Sequence, residues 1–255
     1  MEIDGRTFLI SGGASGLGAA CVREFCGAGA NVVIADVDHQ RGADLADEIG
    51  SQACFIATDV TSGKAVRQAI EFAVEKVGGL HGAITCAGIL SAARVVGRDG
   101  PHDLDLFRRV IEVNLVGTFN VARLAAVEIA KSQADEDGER GAIVMTASVA
   151  AWDGQIGQAG YAASKGGVAS MTLPMTRELG RHGIRVVSIA PGVFGTPMMQ
   201  AVGDELRESL ESQIPFPNRF GRPEEFASLA RHAIENRMLN GTILRLDGGL
   251  RMGAK

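Results

Sequence analysis

The stretch ISGGASGLGAA (residues 10–20) closes a short apolar run, TFLIS (7–11), and opens a helical pattern. Its glycines Gly12, Gly16 and Gly18 follow the spacing G-x-x-x-G-x-G, a relative of the dinucleotide fingerprint rather than its standard form. Glycine is needed where a chain leaving a strand must turn sharply and let its backbone approach a pyrophosphate. The free N–H groups and positive dipole end of the following helix then face the anion. A tight strand-to-helix turn without a ligand would use the same residues, so the loop alone does not decide. Asp36 does. It closes the second apolar run, NVVIA (31–35), about 20 residues further on, where a carboxylate can hold a ribose 2′-hydroxyl. A carboxylate there repels a 2′-phosphate. The next residue is Val37 rather than Arg or Lys, and Arg41 falls in the following helix, so NAD is expected rather than NADP.

Outward from this turn, apolar runs recur at ACFIA (53–57), GAITC (82–86), AIVMTAS (142–148), IRVVSIA (184–190) and TILRL (242–246). Longer helical patterns separate them, such as EEFASLARHAIEN after Pro223. This alternation predicts an α/β chain with one domain over residues 1–255, a Rossmann fold. Its doubly wound parallel sheet should have about seven strands, with helices on both faces. A composition of 46% hydrophobic residues with 34 glycines suits such close-packed layers. The net charge of −5, without a basic run, argues against nucleic acid as a partner. No run approaches about 18 uninterrupted apolar residues, so no membrane span is expected. MEIDGRTFLIS resembles neither a secretory signal nor an Arg-rich transit peptide, and a cytoplasmic location is expected. Cys21, Cys26, Cys54 and Cys86 form no C-x-x-C and lie in apolar contexts, which predicts buried, reduced thiols. The histidines are scattered, and no metal is expected. Two segments break the rhythm. LSAARVVGRDGPHD (90–103) reads as an excursion at the sheet edge or site mouth, and SQADEDGERG (132–141) as a solvated loop.

The only tyrosine, Tyr161, lies in GYAASKGG (160–167) with Lys165 one helical turn on, so the two side chains would share a face. A phenol alone titrates near pH ~10, and an adjacent ammonium favours its ionised form. On these residues alone the pair is either an acid/base with an adjusted pKa or a half-buried aromatic beside a surface lysine. Taken in chain order with the glycine loop, CAG (86–88), Asn114 and Ser148, it resembles the short-chain dehydrogenases/reductases. The resemblance covers essentially the whole chain. The stretches VNLVGTFNVARL (113–124), TASVAAWDGQIGQAGYAASKGG (146–167), IAPGVFGTP (189–197), IPFPNRFG (214–221) and LNGTILRLDGGLRM (239–252) are most similar to one branch. That branch acts on 3-hydroxyacyl-CoA and on 17β-hydroxysteroids.

The resemblance implies an NAD-dependent enzyme interconverting a secondary alcohol and a ketone, with 3-hydroxyacyl-CoA and 3-oxoacyl-CoA as the expected pair, and a homotetramer. Tyr161 would be the acid/base, and Lys165 would lower its pKa and hold the nicotinamide ribose. Ser148 would bond the substrate oxygen, and Asn114 would hold a water that relays protons through Lys165. Cofactor contacts would come from Ser11, Gly12, Ser15, Gly16, Leu17, Gly18, Asp36 and Val37. Asp59 and Val60 would reach adenine, while Cys86, Ala87 and Gly88 line the channel. Pro191, Gly192, Val193 and Thr196 would surround the nicotinamide. Gln155 would face the substrate, and Arg94 and Arg98 would meet the phosphates of a CoA tail. Cys86 replaces an asparagine usual in the family, which puts the local strand-bridging bonds in question. The alternatives are a dehydrogenase for a steroid or other small hydroxy compound, a 3-oxoacyl carrier reductase, and, from another class, a non-catalytic dinucleotide sensor or scaffold. An intact Asn–Ser–Tyr–Lys set argues against the last.

Overall fold

The computed structural model describes residues 1–200 and 203–254. Seven strands form one parallel sheet in the order β3-β2-β1-β4-β5-β6-β7. They are β1 (Thr7–Ser11), β2 (Asn31–Asp36), β3 (Ala53–Ala57), β4 (Gly82–Thr85), β5 (Gly141–Thr146), β6 (Ile184–Pro191) and β7 (Ile243–Leu246). Every apolar run read as a strand is one. Those nearest the middle, β1, β4, β5 and β6, are buried at every position, as a strand covered on both faces must be.

Successive strand residues point to opposite faces and so feed two separate cores. Phe8 and Ile10 pack with Phe25 of α1 (Gly16–Gly27) and Phe226 of α9 (Pro223–Glu235). Leu9 packs on the other side with Ile70 of α3 (Gly63–Val77), Ile129 of α5 (Gly117–Ile129) and Val168 of α6 (Ala159–Leu179). Phe25 is fully buried and meets the Phe8 ring edge-on at 4.9 Å; removing its ring would cost about 3–5 kcal/mol. The sheet order reverses between β1 and β4. Connections there leave in opposite directions, and a crevice opens beyond the carboxyl ends of the strands.

Three expectations change. The 132–141 loop is not merely solvated: Glu139 is buried and pairs with the Met1 amino group at 3.1 Å and with Arg185 at 2.8 Å. Arg237 binds Asp135 and Asp137 of the same loop. The helical run Leu104–Ile129 is, by length and composition, apolar enough to cross a membrane. Half of its most apolar 18-residue stretch is buried inside the protein. Within it, α4 (Leu104–Ile111) passes into α5 through a π turn, Glu112–Val116. Third, Cys21 and Cys26 are buried thiols, but Cys54 and Cys86 are half-buried, and Cys86 faces the crevice.

Candidate active site

The crevice is a cleft of about 810 Å³, within the range of small-molecule sites. One end is built by the turn after β1. A Cβ at Gly12 would collide with the Ala87 backbone, and one at Gly18 with the Gly12 carbonyl, so only glycine lets the turn, the end of β4 and α1 approach this closely. Gly16 has φ +53°, a left-handed conformation that favours glycine. Ser15 caps α1 without a side-chain hydrogen bond, which leaves its hydroxyl and the first-turn amides for an anion. Asp36 accepts from the Ala14 amide at 2.9 Å and the Asp38 amide at 3.0 Å. The carboxylate thereby ties the turn to β2 while one edge still lines the cleft. Val37, Thr58, Asp59 and Val60 complete this end.

At the other end, β5 stops at Thr146, and Ser148 caps a short 3-10 turn, its Oγ accepting from the Ala150 amide at 3.1 Å. Tyr161 stands in the first turn of α6 and lines the cleft together with Ser148. Burial raises its pKa, and the neighbouring Ser148 side chain works in the opposite direction. Lys165 is 5% exposed and donates to the Thr146 carbonyl at 2.8 Å. Burial brings its pKa down to about 8. Its ammonium lies 5.9 Å from the centre of the Tyr161 ring. Two hydroxyl side chains line the cleft beside a nearly dry ammonium, next to a cradle for a dinucleotide.

The sequence profile described as short chain dehydrogenase matches residues 6–207. This chain belongs to that family. It is 48% identical over 253 residues to the 3-hydroxyacyl-CoA dehydrogenase type-2 of Bos taurus, covering 98% of this chain and 97% of the relative. A 3-oxoacyl-(acyl-carrier-protein) reductase of Thermotoga maritima is 34% identical, over 98% of this chain and 99% of its own. The crystal structure of 3-hydroxyacyl-CoA dehydrogenase type-2 from Mycobacterium avium superposes with a TM-score of 0.95 at 47% identity, covering 98% of each chain.

As a short-chain dehydrogenase the protein is an oxidoreductase using a nicotinamide dinucleotide, and its cleft gathers most of the residues read from the sequence. Gly12, Ser15 to Gly18, Asp36, Val37, Asp59, Val60, Cys86 to Gly88, Ser148, Gln155, Tyr161, Lys165, Pro191 to Val193 and Thr196 all line it. Two expectations need correction, for Ser11 and for Tyr161. Ser11 is fully buried within β1 and does not line the cleft. Burial, opposed by Ser148, raises the pKa of the Tyr161 phenol rather than lowering it, and Lys165 donates to the Thr146 carbonyl. The Asn114 side chain has no free amide hydrogen for a water: it accepts from the Ile89 amide at 2.8 Å and donates to the Ile89 carbonyl at 2.9 Å and Ser164 Oγ at 3.1 Å. Thr118 takes its backbone carbonyl at 2.7 Å. Arg94 and Arg98 line a separate small cavity with Val96 and Gly97 rather than the main cleft. Cys86, in the usual asparagine's place, keeps the bridge by other means: its amide donates to the Ser11 carbonyl at 2.8 Å, and Thr146 Oγ1 donates to its sulfur at 3.7 Å. The sequence reading missed Arg109 and Glu112 on the cleft wall, and the distant Leu210 and Met252; no local motif marks them.

Proposed function

We propose that this protein is an NAD-dependent dehydrogenase interconverting 3-hydroxyacyl-CoA and 3-oxoacyl-CoA, working as a cytoplasmic homotetramer in fatty acid metabolism. The observation carrying the chemistry is the Ser148–Tyr161 hydroxyl pair beside Lys165, at the cleft end walled by Val149, Ile156, Val193, Met199 and Leu210. The bound cofactor supplies an acceptor for hydride from the carbinol carbon. Ser148 Oγ hydrogen-bonds the substrate oxygen, and Tyr161 Oη takes its proton in oxidation and returns it in reduction. Lys165, 5.9 Å from the centre of the Tyr161 ring, would hold positive charge near the ribose of the cofactor and near the phenol. The apolar wall suits an acyl chain. The phosphates of a CoA tail would fall outside it, toward the 90–103 loop, where Arg94 and Arg98 line a second cavity. The four free thiols accord with a reducing compartment.

Asp36 favours NAD, since its carboxylate accepts hydroxyl hydrogens and repels a 2′-phosphate; this also weakens the carrier-reductase alternative, which normally wants NADPH. The test is spectrophotometric turnover of acetoacetyl-CoA, a steroid and a small secondary alcohol or ketone with each cofactor. NAD should exceed NADP by at least ~10²-fold in kcat/KM, about 3 kcal/mol, and Asp36→Ala should narrow the gap. Equal efficiency with both cofactors would remove the role given to Asp36. No turnover of any acyl-CoA would remove the substrate assignment.

A further inference from the structure

Beyond β7 the chain folds back over the cleft as a strap, residues 247–254. Leu250 is fully buried with Leu210, Ile214 and Phe220, and Met252 packs on this cluster and lines the cleft. The strap is fastened at several points. Arg245 Nη2 donates to Asp153 at 2.7 Å and to the Leu250 carbonyl at 3.2 Å, and its Nε donates to Asp247 at 2.8 Å. The guanidinium lies over the Trp152 ring at 5.6 Å. Arg251 adds a contact to Asp247 at 3.0 Å, and the Ile156 amide donates to the Ala254 carbonyl at 2.9 Å. Asp247 itself backs onto Gly192, where a Cβ would lie 2.9 Å from its own.

Asp153 belongs to the loop between Ser148 and Tyr161, which also presents Gln155 and Ile156 to the cleft. One guanidinium therefore holds two walls of the same cleft in register. The side chains of Asp153 and Asp247 are 17% and 9% exposed, so each carboxylate depends on its partner. Only the planar fork of arginine can donate to both at once and still stack on an indole.

We propose that Met252 sets the acyl-chain length that the cleft accepts, and that Arg245 is the positioning residue that holds the strap carrying it. The proposal rests on an acyl thioester as substrate. Each methylene that finds room against an apolar wall is worth about a four-fold gain, so the place of a single thioether governs the chain-length profile.

The test is kcat/KM for a ladder of 3-oxoacyl-CoA substrates, from four-carbon to ten-carbon chains, with NADH. Met252→Ala should raise the long-to-short ratio at least about five-fold, and Met252→Trp should lower it by as much. Arg245→Met should flatten the profile and raise KM for the thioester about ten-fold, with KM for NADH moving less than about two-fold. Arg245→Lys should recover part of the profile, which a role in bulk stability would not require. If wild-type protein turns over the ladder but neither Met252 variant shifts the ratio, the inference is overturned and the substrate reading stands. If wild-type protein turns over none of it, both fall. Should Arg245→Met fail to fold, the two Met252 variants still decide.

Discussion

Lys165 works under two opposed demands. Its Nζ must stay cationic to act on a ribose and a phenol, yet it is almost dry and has one carbonyl, that of Thr146, as its hydrogen-bond acceptor. Burial brings its pKa to about 8 from an ordinary 10.5. Since the folded value lies below the unfolded one, the unfolded chain binds the extra proton between them. Stability of the free protein should therefore rise with pH from about 8 to about 10.5, by roughly 3 kcal/mol. Lys165→Met should remove that rise; urea unfolding of both proteins at neutral and alkaline pH measures it, and parallel curves would contradict it. Tyr161 is pushed upward by burial, so alcohol oxidation, which needs the phenolate, should keep accelerating through the alkaline range. Tyr161→Phe should lower kcat by ~10²–10⁴-fold while isothermal titration still detects NAD binding. The identity of this residue was legible because the chain uses tyrosine once and places a lysine four positions on. The direction of its pKa was not. It is set by how deeply the fold buries the phenol, which neighbouring residues in the sequence do not reveal.

At the scale of elements, the π turn at Glu112–Val116 is where the long helix meets the site. Its extra residue aims Asn114 inward, and the side-chain amide clasps both polar groups of Ile89 while reaching Ser164 of α6. The residues just before Ile89, Cys86 to Gly88, form the cleft floor, so Asn114 fixes the cofactor wall to the catalytic helix. Asn114→Ala should destabilise the protein by about 2–3 kcal/mol, through unpaired buried polar groups, and raise KM for NAD more than KM for substrate. A variant that keeps wild-type stability and loses only turnover would instead favour the water-relay role. Runs such as TFLIS and IRVVSIA were legible as strands because burial on both faces leaves continuous apolar residues. The clasp was not legible, since its three partners are 25 and 50 residues away. The 132–141 loop misleads for a related reason: charge runs are usually solvated, but the partners that draw Glu139 inward, Met1 and Arg185, are distant in sequence.

For the whole molecule, the helix that passes for a membrane span poses a problem of area. A helix in a soluble domain normally buries one stripe and presents polar residues opposite. Here Val121, Ala125 and Ile129 are buried against the sheet, yet Val116, Phe119 and Val127 on the same helix are 39%, 47% and 61% exposed. Offsets of three and eleven residues set these three along one outer stripe. Leu173 of α6 is a further exposed apolar side chain, at 44%. A single copy therefore leaves the second stripe in water, and the tetramer proposed above would cover it with the same helices of a second copy related by a two-fold axis. Such a contact would place α6, which carries Tyr161 and Lys165, beside the interface, so assembly would stiffen the catalytic helix. Sedimentation velocity at micromolar concentration should show a particle of four chains. Phe119→Glu with Val127→Glu should divide it, since two charges cannot enter an apolar seam unpaired. The divided protein should lose thermal stability and most turnover while its NADH fluorescence titration still saturates, because the cradle at Gly12 to Gly18 lies at the far end of the cleft. A wild-type protein that sediments as one chain would leave the outer stripe without its cover and end the tetramer assignment.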